Sequence, residues 1–251
     1  MTGFLTLLHK EVIRFWKVLL QTLLAPVLTA WLYLLIFSHV LEAHVEVYPG
    51  VGYTAFLVPG LVMMSVLQNA FANSSSSLIQ SKITGNIVFV LMPPLSHLEF
   101  FAAYLIAAML RGMLVGIGVM LMAMFFTELP FAHPVWILAY ALAASAAFGA
   151  VGIVAGIWAE KFDHLAGVQN FLIVPLTFLS GVFYSIHSLP PFWQAVSHWN
   201  PVFYMIDGFR YGFHGVSDVS PWLGMAVVLP FSFLLAALSL QLIRQGYKLR
   251  T

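Results

Sequence analysis

The chain has 251 residues, of which 61% are hydrophobic and 8% charged, with a formal net charge of +1. That balance cannot cover a soluble domain with a charged surface, so the composition points to an all-α polytopic membrane protein. The sequence contains no cysteine, which excludes disulfides, thiolate metal sites and cysteine nucleophiles together.

Residues 2–17 intersperse Phe4, Leu5, Leu8, Val12, Phe15 and Trp16 with Lys10, Arg14 and Lys17 at helical spacing. This pattern predicts an N-terminal interfacial helix, apolar side in lipid and cations toward anionic headgroups. A cleavable signal is rejected, because the apolar run 18–41 far exceeds the roughly 7–15 residues of a signal core. Further spans are expected at 53–72, 98–126, 135–158, 168–187 and 222–243, making six transmembrane helices. Lys10, Arg14, Lys17, Lys82, Lys161, Arg244, Lys248 and Arg250 all fall on one side of that arrangement. Glu42, Glu46, Glu128, Asp207 and Asp218 fall on the other, with Arg210. The positive-inside rule then predicts cytoplasmic termini.

Segment 73–97 is expected to be cytoplasmic: it starts polar and is broken by Gly85, Pro93 and Pro94. Its short run Ile87 to Met92 would be an exposed apolar patch, the mark of a partner site, with sinking into headgroups as the alternative. Segment 188–215 is too interrupted to be a span. Pro190, Pro191 and the Asn200-Pro201 pair divide it into half-helices near 192–199 and 202–213, closed by Gly212 and Gly215. A re-entrant hairpin satisfies this pattern, since irregular backbone at membrane depth needs protein or a cavity around it.

Gly112 and Gly116 in the third span, and Ser145, Gly149, Gly152 and Gly156 in the fourth, form rows that let helices approach closely. Arg111 falls about halfway along the third span, where an arginine costs about 2.5–3.5 kcal/mol. Either Gln68 and Asn69 satisfy it or it belongs to a substrate pathway. Asp207 and Arg210, three apart, can pair on one helix face. The nine histidines show no metal-ligand spacing. A hydrolase built on Ser180 with His187 or His198 is disfavoured, because Ser180 and His187 would lie about 10 Å apart along a helix.

Four patches resemble the ABC-2 type permeases, the membrane subunits of ATP-binding-cassette exporters. They are Tyr53 to Leu61, Lys82 to Ser96, Pro175 to Tyr184, and Leu189 to Arg210, in the family's order over nearly the whole chain. The resemblance implies a single ABC-2 transmembrane domain over 1–251 in the bacterial inner membrane, working as a homodimer with a separately encoded ATPase and exporting a substrate. It implies ATPase coupling through Lys82, Gly85, Ile87, Phe89, Leu91 and Pro94. It also implies a translocation pathway or outer gate drawn from Arg111, Phe183, Tyr184, Trp193, Asn200, Pro201, Tyr204 and Arg210. Where the family usually carries acidic residues in the coupling segment, this chain has Val88 and Phe89. No Gly-Lys dipeptide occurs, so a P-loop is absent and the chain is not expected to be an ATPase. No cofactor and no nucleic-acid partner are expected, ATP being used by the partner subunit. A stand-alone channel is the rival reading, but it has no need of the interfacial helix or of 82–96. The outward aromatics suit a sugar, a lipid or a hydrophobic drug equally.

Overall fold

The structure, a computed structural model, describes residues 2–42 and 46–248. Arg250 therefore lies outside the described residues. The chain runs α1 (Thr2–Trp16), α2 (Leu19–Leu41), a small antiparallel pair β1 (Glu46–Tyr48) and β2 (Val51–Gly52), α3 (Tyr53–Ile83), α4 (Ile87–Leu91), α5 (His97–Ala123) and α6 (Pro134–Trp158). It continues through α7 (Phe162–Val168), a π turn (Gln169–Ile173), α8 (Val174–Phe178), a 3-10 turn (Ile186–Ser188), α9 (Pro191–His198), α10 (Pro201–His214) and α11 (Pro221–Gln245).

Five of the described helices, α2, α3, α5, α6 and α11, are long and apolar enough to cross a bilayer. Their burial assigns their places. α3 is enclosed almost all round, whereas α2 and α11 turn leucines and phenylalanines such as Leu20, Leu28, Phe233 and Leu234 outward. Lipid does not drive apolar helices together, so the centre is assembled by close backbone approach. The glycine rows supply it: a Cβ on Gly112 of α5 would lie 2.8 Å from the Val66 carbonyl of α3, and one on Gly156 of α6 3.1 Å from that of Ser75. Ser74 adds a hydroxyl bond to the Gly149 carbonyl at 2.8 Å.

Three expectations need correction. α3 does not end at 72 but continues to Ile83, and its polar stretch is buried: Asn73, Ser74, Ser75 and Ser77 are all at most 2% exposed. Serine hydroxyls bonding back to carbonyls of the preceding turn, as Ser75 does to Phe71 at 2.8 Å, let a polar run stay helical inside protein. Of segment 73–97, then, only 84–96 lies outside the flanking helices.

The expected fifth span, 168–187, is displaced. Its helix runs from Phe162 to Phe178 as seven helical, five π and five helical residues, about 25 Å end to end. The π turn ends two residues before Pro175, which has no N–H to donate to the turn before it. The helix stops before Gly181, whose φ of +71° turns the chain away.

α1 is the third. It packs lengthwise on the first half of α5, with Gly3 against Leu95 and Lys10 5.8 Å above the Tyr104 ring. Leu7, Glu11 and Phe15 are buried on that face, and Arg14 turns toward α3 rather than away from the protein. Its guanidinium donates to the Asn73 carbonyl and side-chain oxygen at 2.8 and 2.9 Å, and to Glu11 at 3.3 Å.

Candidate functional site

Two regions at opposite ends of the bundle gather the expected site residues. At the α1 end, the chain leaves α3 through Gly85 (φ +72°), a left-handed position with open space around it. α4 follows at once. Ile87 turns inward, 4% exposed, into a cluster with Leu7, Leu78, Phe100 and Ile243. Val88, Phe89 and Met92 project outward at 55%, 70% and 72% exposure, with Leu91 and Pro94 also exposed. Pro93 and Pro94 then end the helix, and a reciprocal Ser96–Glu99 capping box starts α5. The apolar ledge borders a groove of about 500 Å³ between Leu91, Leu95, Phe100 and Ile243. A second, of about 380 Å³, lies between Phe89, Pro93 and α1 residues Leu7 and Lys10.

Lys82 has a different place from its neighbours. Its ammonium donates to the carbonyls of Ile157 and Ala159 at 2.7 and 2.6 Å, closing the C-terminus of α6, where backbone carbonyls lack helical partners.

At the other end, α9 and α10 form the helical hairpin expected from the prolines. Asn200 makes the corner: its Oδ1 accepts from the Val202 N–H at 3.0 Å, while Nδ2 donates to the Leu176 carbonyl and to Ser180 Oγ at 2.8 and 2.9 Å. Pro201 occupies the first turn of α10, where no N–H is needed. α10 ends at Gly215 (φ +70°), whereas Gly212 lies inside the helix against Ile137. α10 is almost wholly buried against α3, α6 and α11.

Arg210 is the most enclosed cation among the described residues. At 1% exposure it donates to the carbonyls of Phe56 (3.2 Å) and Gly181 (2.7 Å), and its guanidinium stacks 3.8 Å from the Phe56 ring centre. The expected Asp207–Arg210 ion pair is not formed within 4 Å. Asp207 instead accepts the backbone N–H groups of Asp218 and Val219 at 2.9 and 3.0 Å.

Asp218 was legible only as one more acid on its side of the membrane. In the fold it ties three segments, accepting from Tyr48 Oη (2.8 Å), Ser185 Oγ (2.6 Å) and the Ile186 N–H (2.9 Å). Burial raises the Tyr48 phenol well above its ordinary pKa, so it stays a donor. Phe183 packs against Tyr33, Phe37 and Phe178, Tyr184 donates to the Phe178 carbonyl at 3.2 Å, and Tyr204 to that of His198 at 3.0 Å. Trp193 is 45% exposed; its neighbours Phe192 and Trp199 are more so.

Ser180 has no role left for nucleophilic attack. Its hydroxyl donates to the Leu176 carbonyl and accepts from Asn200, and among the described hydrogen bonds none joins it to His187 or His198. Arg111 reaches Asn69 Oδ1 at 3.4 Å, as one of its two expected partners.

A central helix wrapped by apolar helices long enough to span a bilayer, an apolar ledge at one end and a capped helix pair at the other make a polytopic membrane-protein architecture. The pattern of the ABC-2 type transporter family matches residues 2–214, and the chain belongs to that family. It is 42% identical to the inner membrane transport permease YadH of Escherichia coli K12 over 246 residues, which cover 96% of this chain and 94% of that protein. Nodulation protein J of Rhizobium leguminosarum bv. trifolii is 29% identical over 211 residues, 78% of this chain and 77% of that one. The capsule polysaccharide export inner-membrane protein BexB of Haemophilus influenzae is 31% identical over 106 residues, 41% of this chain and 38% of that protein.

Proposed function

We propose that this chain is the permease subunit of an ATP-driven exporter in the bacterial inner membrane, working as a homodimer with a separate ATPase docked on α4. The observation that carries the reading is the ledge of Val88, Phe89, Leu91 and Met92, anchored by buried Ile87 and held away from the bundle at Gly85. Exposed apolar side chains on a short rigid helix beside two grooves are what a helix-in-groove partner recognises. A channel needs no such element. The acidic residues usual in the family's coupling segment are replaced here by Val88 and Phe89, so the contact is apolar in character. In this reading both termini and α4 face the cytoplasm, the interrupted helix 162–178 completes a six-span set, and the α9–α10 hairpin forms the outer gate as a re-entrant element. The name of BexB, a capsule polysaccharide export protein, makes a polysaccharide the first cargo to try.

The test is co-purification. Phe89→Asp puts a charge on a surface side chain and leaves the Ile87 anchor intact, so the permease should still insert and migrate as the wild type while losing its ATPase partner. Retention of the partner at wild-type stoichiometry would overturn the docking assignment.

A further inference from the structure

α3 is closed on all sides but one. From Phe56 to Ser81 every residue is buried except Gln68, Ala72, Ser76 and Gln80, which recur every fourth residue and so form one narrow strip along the helix. Three of the four are polar, which suits water better than lipid or a packed apolar neighbour. At the α1 end the strip meets two clefts, of about 700 and 420 Å³, that share Lys10, Arg14 and Gln80 in their walls. Arg14 reaches the strip itself, its guanidinium donating to Ser76 Oγ at 3.3 Å.

Arg111 of α5 stands beside the strip's inner end. It donates to Oδ1 of Asn69, the residue after Gln68, at a long 3.4 Å; its Nε is buried without a partner; and among the described residues no carboxylate lies within 4 Å of it. Asn73 Nδ2, one turn nearer the α1 end, is likewise a buried donor with nothing to donate to. Buried Glu11 pairs with Lys10 at 2.8 Å and with Arg14 at 3.3 Å, which leaves Arg111 unanswered. The depth of Arg111 follows from the helices beside it. Leu105 and Ala108 of α5 meet Gly149 of α6, and Ser232 and Ser239 of α11 bond the Ala143 and Ala150 carbonyls of α6. Arg111 is therefore level with the middle of α6 and α11. The rise from Gln80 to Asn69 along α3 is about 16 Å, half of the roughly 30 Å of hydrocarbon.

We infer that the strip is a water-lined entry for cargo on the α1 side, and that Arg111 at its inner end binds an oxyanion, a carboxylate or a phosphate, carried by that cargo. An oxyanion accepts hydrogen bonds, which is what the unpaired donors of Arg111 and Asn73 require. A neutral molecule would leave the guanidinium charge uncompensated at mid-membrane, where compensation matters most. The inference rests on the exporter reading and adds to it the charge of the cargo, so that a polysaccharide cargo would be an acidic one.

The cysteine-free chain allows a direct test on the full-length permease in membrane fragments open on both sides. Ala72→Cys or Gln68→Cys is exposed to an anionic and to a cationic methanethiosulfonate, each rate being divided by that with a free thiol. Both cysteines should react, and the anionic reagent should be favoured about tenfold, because a cleft of one sign concentrates its counter-ion. Arg111→Gln should remove most of that preference and Arg111→Lys should keep it, while Phe89→Cys, outside the strip, should react alike with and without Arg111. If Arg111→Gln does not insert, Asn69→Asp, which sets a carboxylate against the guanidinium, should remove the preference in its place. Glucuronate and glucose 1-phosphate should slow the labelling of Ala72→Cys more than glucose does, and the more effective of the two identifies the oxyanion. No reaction at either cysteine, a preference that survives Arg111→Gln (or Asn69→Asp in its place), or equal protection by all three sugars would overturn the proposal. The exporter reading fails separately, through ATPase co-purification, and an Arg111-dependent preference in a permease that binds no ATPase would leave the anion site standing.

Discussion

Arg210 shows how a charge can be stable at 1% exposure. Two carbonyls, from Phe56 and Gly181, and the face of one aromatic ring replace its water, and those groups belong to α3 and to the bend after α8. Removing the side chain leaves both buried carbonyls unanswered, so Arg210→Ala should cost about 1–3 kcal/mol for each, read as a fall in unfolding midpoint in detergent. Arg210→Lys keeps the charge but not the stacked fork, so it should recover only part of the loss. Asp218 offers a sharper test. In Asp218→Asn the amide nitrogen or oxygen must meet the Ile186 N–H and the two hydroxyls from Tyr48 and Ser185, and it cannot accept from all three. About 1–3 kcal/mol of stability should go, while Tyr48→Phe, which deletes one donor, should cost less; equal and negligible effects of both would show that the cluster does not hold the loops.

At the scale of elements, glycine placement decides how closely α3, α5 and α6 approach. Gly152 of α6 faces the Phe71 carbonyl and Ser74 of α3 with no room for a Cβ. Gly152→Val should therefore push the two helices apart and lower stability by about 1–3 kcal/mol. Gly167, beside the π turn with open space where a Cβ would sit, is the matched control and should tolerate alanine. Lys82 works at the same scale: Lys82→Met keeps the stem but leaves the Ile157 and Ala159 carbonyls without their donor. Its effect should appear first as faster hydrogen exchange in the last turn of α6 and only secondarily at α4.

For the whole molecule, side of the membrane and assembly are the open arrangements, and a chain without cysteine is suited to testing both. Ser197 and Gly208 look like natural labelling positions in a hairpin, but Ser197 is 1% exposed and Gly208 abuts the Tyr140 ring. Trp199, at 89% exposure, is the position to use. Trp199→Cys should react with an impermeant thiol reagent added to intact cells, and Phe89→Cys only after lysis; the reverse pattern would invert the proposed orientation. For the homodimer, single cysteines along the outward face of α2, at Leu28 or Leu32, and at Phe171 should cross-link between copies, since these side chains are more than half exposed within one chain.

Much of the architecture is written locally. Apolar length places α2, α5, α6 and α11 within a few residues, because a helix in lipid must satisfy its own backbone and so announces itself by composition. The prolines and Asn200 fix the hairpin corner for the same reason, since backbone geometry there depends on neighbours in sequence. What depends on neighbours in space was not legible. Asn73 to Ser81 reads as a departure from the membrane, yet α3 carries it into the bundle because α5, α6 and Arg14 of α1 enclose it. Asp207 and Arg210 read as partners at helical spacing, yet each finds better-oriented backbone groups from distant segments. Composition could say that these polar groups needed satisfying; which groups would satisfy them was decided by the three-dimensional packing, because hydrogen bonding is short-ranged and directional and sequence distance carries no information about it.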